Sequence, residues 1–114
     1  MKYDLEERTA KFGESVIFFI KKIPENRINQ PLINQVIRSA TSIGANYMEA
    51  NQASSKKDFR NKIRISQKES NETKHWIRMM AAANQNHKEE CMVLWKEAHE
   101  LTLIFAKISK NCGV

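Results

Sequence analysis

Arg38, Ser42, Asn46 and Glu49 recur at helical spacing and form one polar stripe. Val36, Ala40, Ile43 and Tyr47 form an apolar stripe beside it, so the polar one lies where a helical interface would otherwise be dry. In the following helical segment Glu69 and Glu72 set two carboxylates at i, i+3 spacing on one face. If the two segments form an antiparallel pair joined near 52–54, residues whose numbers add to about 107 lie level. Arg38 then faces Glu69, with Glu72 one turn away. A guanidinium fork opposite two carboxylates can be a partly buried ion pair that fixes helix register, or a ligand-binding or catalytic carboxylate site. The ion pair is favoured, because an Arg fork is the usual way a helix bundle satisfies buried charge. Ser42 and Asn46 are expected in the same network. Breaking it at Arg38 is expected to cost about 3 kcal/mol, the range for a buried pair.

A metal reading rests on Glu72-x-x-His75, the local motif of carboxylate-bridged di-metal bundles. Such a site needs two of these motifs and two further inward carboxylates, and only one motif is present. His75 falls opposite the apolar seam of its helix, His87 is read in a loop, and His99 has no partner motif, so all three read as surface residues. There is no Gly-rich phosphate loop, nucleophile elbow or Cys/His metal spacing. The reading is therefore a protein with no enzymatic activity, no metal and no cofactor.

The elements that must hold these groups are helices. The chain has 114 residues with 41% hydrophobic content, three Gly and two Pro, which suits one compact domain and leaves little room for β turns. Leu5, Thr9, Phe12, Val16, Phe19 and Ile23 alternate spacings of four and three, a heptad seam that predicts a first helix over 4–22 ended by Pro24. Pro31 suits the first position of a second helix that reaches about Asn51. Ser54 and Ser55, with Asp58, predict the cap of a third helix over 56–84, whose seam runs Phe59, Ile63, Ser66, Ser70, Thr73, Ile77, Met80. Small residues in its middle allow a neighbouring helix to approach closely. Asn86 with Glu89 repeats the capping pattern before a fourth seam, Cys91, Leu94, Ala98, Leu101, Phe105, Ile108, Cys112. Four such segments with short joints predict an all-α, antiparallel up-and-down four-helix bundle spanning 1–114 as one domain. Cys91 and Cys112 lie about 30 Å apart on one helix and cannot bridge each other, so they read as core thiols in a reducing compartment. The longest apolar run, Val16–Ile20, is far short of a membrane span, and a soluble, cytoplasmic protein is expected.

Charge supplies the remaining functional signal. The net charge is +6, and residues 56–78 hold eight basic and three acidic side chains, so that segment carries most of the excess. On a helical wheel Lys57, Arg60, Arg64, Lys68 and Arg78 share a stripe with Asn71 and His75, opposite the apolar seam, over about 30 Å. Such a line could track a phosphate backbone of RNA or DNA, or be an ordinary solvated face. Trp76 and Met79 lie off the third seam and Trp95 beside the fourth. They belong either to core packing or to a subunit interface, where aromatic and Met side chains are enriched.

These residues also carry a family likeness. The pattern Gln35-x-x-Arg38-x-Ala40-x-Ser42-Ile43-x-x-Asn46-x-x-Glu49, then Lys57-Asp58-Phe59, Ile65-Ser66-x-Lys68-Glu69-x-x-Glu72 and Trp76-Ile77, resembles the bacterial four-helix bundle proteins encoded in intervening sequences of 23S rRNA genes. A related branch is the accessory protein of diversity-generating retroelements. The resemblance runs from Ile23-Pro24 through Met80 and weakens along the last helix. Two positions depart from it: Ala50 stands where Gly is usual, and Glu69-Ser70 where a Gly-Ser pair is common, and both changes favour a continuous helix. The resemblance implies a ring-shaped homopentamer and, through the retroelement branch, a nucleic-acid-handling protein as partner. The expected function is a non-enzymatic, homo-oligomeric nucleic-acid-binding or accessory scaffold module. The alternative is a structural oligomer or protein-interaction adaptor with no nucleic-acid role.

Overall fold

The structure, a computed structural model, describes residues 4–113. Four helices carry almost all of them: α1 Asp4–Ile20, α2 Asn29–Asn51, α3 Lys56–Ala83 and α4 Lys88–Asn111. Each packs on its neighbours in sequence and α1 closes on α4, giving a square all-α bundle about 44 Å long and 21 × 19 Å across. The most extensive packing is between α2 and α3 and between α3 and α4, and the contact of α1 with α4 is the thinnest.

The heptad seams are buried as their spacing predicts. Thr9, Phe12, Val16, Phe19 and Ile23 from the first segment meet Val36, Ala40, Ile43 and Tyr47 of α2, Ile63, Ile77 and Met80 of α3, and Cys91, Leu94, Ala98, Leu101 and Phe105 of α4. Phe105, Ile43, Ile63, Ile77, Met80 and Leu101 are fully enclosed, each contributing roughly 1.5–3 kcal/mol by leaving water. The fourth seam does not reach its end. Ile108 and Cys112 are only half-buried and Ser109 points inward instead.

The helix ends show where capping logic held and where it failed. Ser55 accepts the backbone N–H of Asp58 at 3.0 Å, as the sequence predicts. The first helix stops at Ile20 rather than Lys22, since the backbone tightens to i→i−3 bonds from Lys22 to Phe19 and from Ile23 to Ile20 before Pro24. Pro31 is the third residue of α2, not its first, and the turn is begun by Asn26, whose Oδ1 accepts the Asn29 N–H at 2.8 Å and whose carbonyl accepts that of Gln30. Asn86 caps nothing: it lies in a 3-10 turn over Gln85–His87, and α4 begins at Lys88 without a side-chain cap.

One polar pair is sealed into an end of the bundle. Asn29 and Asn84 are both buried and face each other as a reciprocal amide dimer, with N–H···O distances of 3.0 and 2.9 Å. Asn29 Nδ2 also donates to the Pro24 carbonyl, and Asn84 Nδ2 to that of Met80. The pair joins the start of α2 to the end of α3 with its donors satisfied. Asn84→Ala should therefore strand the Asn29 amide and cost about 2 kcal/mol in urea unfolding, within the range for an unsatisfied buried group. A loss below about 0.5 kcal/mol would show that water takes the vacated position.

Candidate functional site

The polar groups between α2 and α3 sort into an outer rim and an inner row. At the rim, Arg38 Nη1 reaches Glu69 Oε1 at 3.2 Å and Nη2 pairs with Glu72 Oε2, while Nε donates to Gln35. Glu72 also accepts the Trp76 indole N–H at 2.9 Å. The predicted facing of Arg38 with Glu69 is thus present, but its environment is different from that expected. The Arg38 side chain is 45% exposed, against 12% for Glu69 and 31% for Glu72, so the pair is a half-solvated clamp rather than a buried one. Ser42 and Asn46 do not join it. The Ser42 hydroxyl bonds the Arg38 carbonyl and the Asn46 amide bonds the Ser42 carbonyl, each one turn back on its own helix. Glu49 instead pairs with Lys62, whose pKa is raised by that hydrogen bond and by the carboxylate's charge.

In the inner row Ser66, Ser70 and Thr73 lie where the α3 seam predicts, and only Ser39 is unexpected there. Ser39, Ser66, Ser70 and Thr73 are completely enclosed. Thr73 Oγ1 lies 2.8 Å from Ser39 Oγ, and Ser66 Oγ donates across the interface to the Ile43 carbonyl at 3.0 Å. Ser70 and Thr73 also bond backbone carbonyls four residues back. Ser39 sits at the edge of the apolar stripe, and its sequence position alone could not distinguish a wet from a dry hydroxyl. The signal that was available is the small seam of α3, which demands short partners on α2.

The Glu-x-x-His pair does not converge. Glu72 turns to Arg38 and Trp76, while His75 is exposed with its ring against Trp76. Among the described residues no group of three or more His, Cys, Asp or Glu side chains is placed to hold a metal ion. His99 has partners after all: its ring stacks on Trp95, and Lys74 Nζ approaches its Nδ1 at 3.1 Å while lying over the Trp95 ring. His87 bonds Glu90 and packs edge-on against Phe19. Trp76 and Trp95 are half-buried and packed on the core of their own chain, and Met79 is half-buried. The most exposed large apolar side chains lie elsewhere, at Val93, Ile28, Phe18, Met48 and Leu103.

The basic stripe is laid out as the wheel predicts. Lys57, Arg64, Lys68 and Arg78 are exposed along the outer face of α3. Arg60 is the exception, half-buried with an Nε that finds no acceptor. Five other cations are matched within the chain: Arg8 with Glu97, Lys11 with Glu7, Lys22 with Glu90, Arg38 with Glu69 and Glu72, Lys62 with Glu49. No carboxylate lies within ion-pair distance of any of the five stripe cations among the described residues. No helix among the described residues is long and apolar enough to cross a membrane.

Two expectations follow from this geometry. Arg38→Ala should cost about 1 kcal/mol rather than 3, because solvent screens a half-exposed pair; a loss above about 2 kcal/mol in denaturant titration would show that Glu69 is left stranded. Cys91 is buried, and burial pushes its thiol up from the ordinary value, whereas Cys112 is half-exposed near the chain end. A thiol reagent at neutral pH should label one cysteine per native chain, at Cys112, and a second only in denaturant. Mass spectrometry of the labelled chain reads the order, and equal rates would show that the Cys91 end of the bundle opens readily.

Comparison with known proteins places this arrangement. A structure from Bacteroides thetaiotaomicron, described as a protein of unknown function from the S23 ribosomal protein family, superposes with a TM-score of 0.81 at 29% sequence identity. The match covers 93% of this chain and 98% of that one. No curated protein matches the chain. The family model of the 23S rRNA-intervening sequence protein matches residues 1–107, across all four helices, and the chain belongs to that family.

Proposed function

We infer that the protein is a non-enzymatic nucleic-acid-binding module of the cytoplasm, acting as a homo-oligomer and using the outer face of α3 as its contact surface. The observation that carries this reading is the alignment of five unmatched cations on one face of α3. Among the described residues, five cations elsewhere in the fold are matched by carboxylates and eight others are scattered without one, but only Lys57, Arg60, Arg64, Lys68 and Arg78 stand in one unmatched row. A solvated face of a helix usually interleaves both signs. An uncompensated row about 30 Å long has the charge and reach to follow a phosphate backbone. Arg64 and Arg78 can grip phosphates through the guanidinium fork, and Lys57 and Lys68 act as point charges. With no aromatic side chain interleaved on the exposed stripe, the reading is backbone contact with structured RNA or DNA rather than base-specific recognition. A ring of such chains would repeat the row and let weak contacts add. A nucleic-acid-handling protein is the natural further partner.

A second reading, a protein-interaction adaptor, is favoured by one feature. Phe18 and Val93 are 63% and 68% exposed on adjoining flanks of α1 and α4, where the bundle is thinnest. Exposed apolar patches of this kind mark interaction sites.

The two readings separate by salt dependence. Fluorescence anisotropy with a short RNA or DNA duplex should show affinity falling steeply with salt, each phosphate contact on B-form DNA contributing about −0.9 to the log–log slope. Reversing Arg64, Lys68 and Arg78 to Glu should weaken binding and make the slope shallower by up to about 2.7 without unfolding the chain, since all three are exposed. Arg60 is left out because its half-buried stem packs on the fold. Absence of binding at low salt, or equal binding by the triple variant, would replace this reading with the adaptor.

A further inference from the structure

We propose that the recess between α3 and α4 beside Trp95 binds a small aromatic carboxylate, whose ring enters an apolar wall and whose charge is met at the mouth by Arg78 and Lys88. The site does not rest on the nucleic-acid reading given above.

Ala81, a short side chain packed on the core from α3, leaves a gap toward α4. Ile77, Cys91, Met92 and Trp95 close round it, and the recess encloses about 180 Å³. A dry cavity of about 150 Å³ holds benzene, so the space suits one six-membered ring. The wall presents no oxygen or nitrogen atom, and Arg78 and Lys88 enter it through their carbon stems. Against such a wall a nucleobase would lose the hydrogen bonds round its edge, which disfavours it. A hydrocarbon ring loses none.

Two of the lining side chains favour an aromatic ring over an aliphatic chain. Trp95 is held in place by its own neighbours, with His99 stacked on it at 5.2 Å between ring centroids and Lys74 Nζ 5.3 Å from its centroid. Lys74 Nζ in turn approaches His99 Nδ1 at 3.1 Å. An indole fixed in this way is a ready partner for offset or edge-to-face contact with a second ring, and little side-chain freedom is lost when one arrives. Met92 is 48% exposed, and its thioether makes favourable contact with a ring edge and adapts to its shape.

Charge at the mouth identifies the other end of the ligand. Arg78 and Lys88 are both exposed, and no carboxylate lines the recess. Neither cation has a carboxylate within ion-pair distance among the described residues. Arg78 supplies from α3 a planar fork that matches a carboxylate, and Lys88 adds a point charge from α4. A carboxylate held between two exposed heads keeps its contact with water, so no charge has to be buried. The groove beside Phe18 lacks this arrangement, because its cation, Lys22, is already paired with Glu90. Arg78 is also the last cation of the α3 row. The other four do not line the recess, so that face stays in place when the recess is filled.

The test is a titration with phenylacetate, followed through the two indole N–H signals in proton–nitrogen correlation spectra. Trp76 lies outside the recess with its N–H on Glu72 and serves as the reference, its signal identified by its loss in Trp76→Phe. Phenylacetate should move the Trp95 signal, leave that of Trp76 and saturate with a Kd below about 1 mM, within reach for a ligand of this size. Phenylacetamide, the same body without the charge, should bind at least about tenfold more weakly, and Arg78→Gln with Lys88→Gln should weaken phenylacetate by as much. Both positions are exposed, so the double variant keeps the fold. Ala81→Leu fills the recess and should abolish the shift with a native circular dichroism spectrum; if that variant unfolds, the Arg78, Lys88 pair still decides. The proposal is overturned if millimolar phenylacetate leaves the Trp95 signal unmoved, or if phenylacetamide or the double glutamine variant binds as tightly as the native pairing. Cyclohexylacetate, similar in size but without a π face, should bind more weakly than phenylacetate; equal binding would overturn the aromatic assignment and make the occupant an aliphatic carboxylate. Uridine monophosphate moving Trp95 where phenylacetate does not would overturn the proposal in favour of a nucleotide. No nucleic-acid polymer enters these measurements, so failure of the site leaves the reading of the α3 face standing.

Discussion

The fold depends on how closely α2 and α3 approach. Ser66, Ser70 and Thr73 put short side chains at the centre of a long helical seam, and a gap there would forfeit dispersion contacts along the most extensive interface of the bundle. Closing it brings hydroxyls into a dry core, which is unfavourable unless each finds an acceptor. The structure resolves this by turning the hydroxyls on backbone carbonyls, one of them across the interface to Ile43. The α2–α3 pair is thereby fixed in register from inside, and the Asn29–Asn84 amide dimer fixes it again at one end. Apolar seams alone tolerate a shift of one turn. Directional groups that must all be satisfied together do not.

That internal lock changes what the outer charges are for. Arg38, Glu69 and Glu72 would carry the register if they were the only polar groups in the interface, but they sit at its solvent edge and add to an alignment already set. Their contribution is to close the rim over the hydroxyl row and to hold the Trp76 indole against the bundle through Glu72. Charge on the remaining surface is then not needed to define the fold, and its distribution is free to follow other demands.

How much of this was legible depends on the kind of signal. Apolar periodicity located all four helices and nearly the whole core, because burial is a property of spacing and every seam residue from Phe12 to Phe105 except the half-buried Phe59 obeys it. The Arg38–Glu69 facing followed from an antiparallel joint and helical rise alone. What spacing does not encode is depth. Arg38 and Ser39 are adjacent in sequence, yet the first is nearly half exposed and the second wholly enclosed, and that difference is set by where α3 lies. The pairing of Asn29 with Asn84 is illegible for the same reason: their meaning comes from each other, fifty-five residues apart. The Asn86 cap failed because a 3-10 turn over Gln85–His87 displaced the start of α4 by one residue, a change smaller than a capping motif can specify. Ile108 and Cys112 obeyed the heptad yet are only half-buried, because spacing does not encode how much of a seam's end its neighbours cover.

The separation of charge between helices follows from the topology. The exposed carboxylates of Glu6, Glu7 and Glu14 on α1 and the basic row on α3 could neutralise each other within one chain only if the two helices were neighbours, and the order of a square up-and-down bundle places them on opposite corners. The topology that buries the core most simply therefore leaves the α3 row without a carboxylate from its own chain among the described residues.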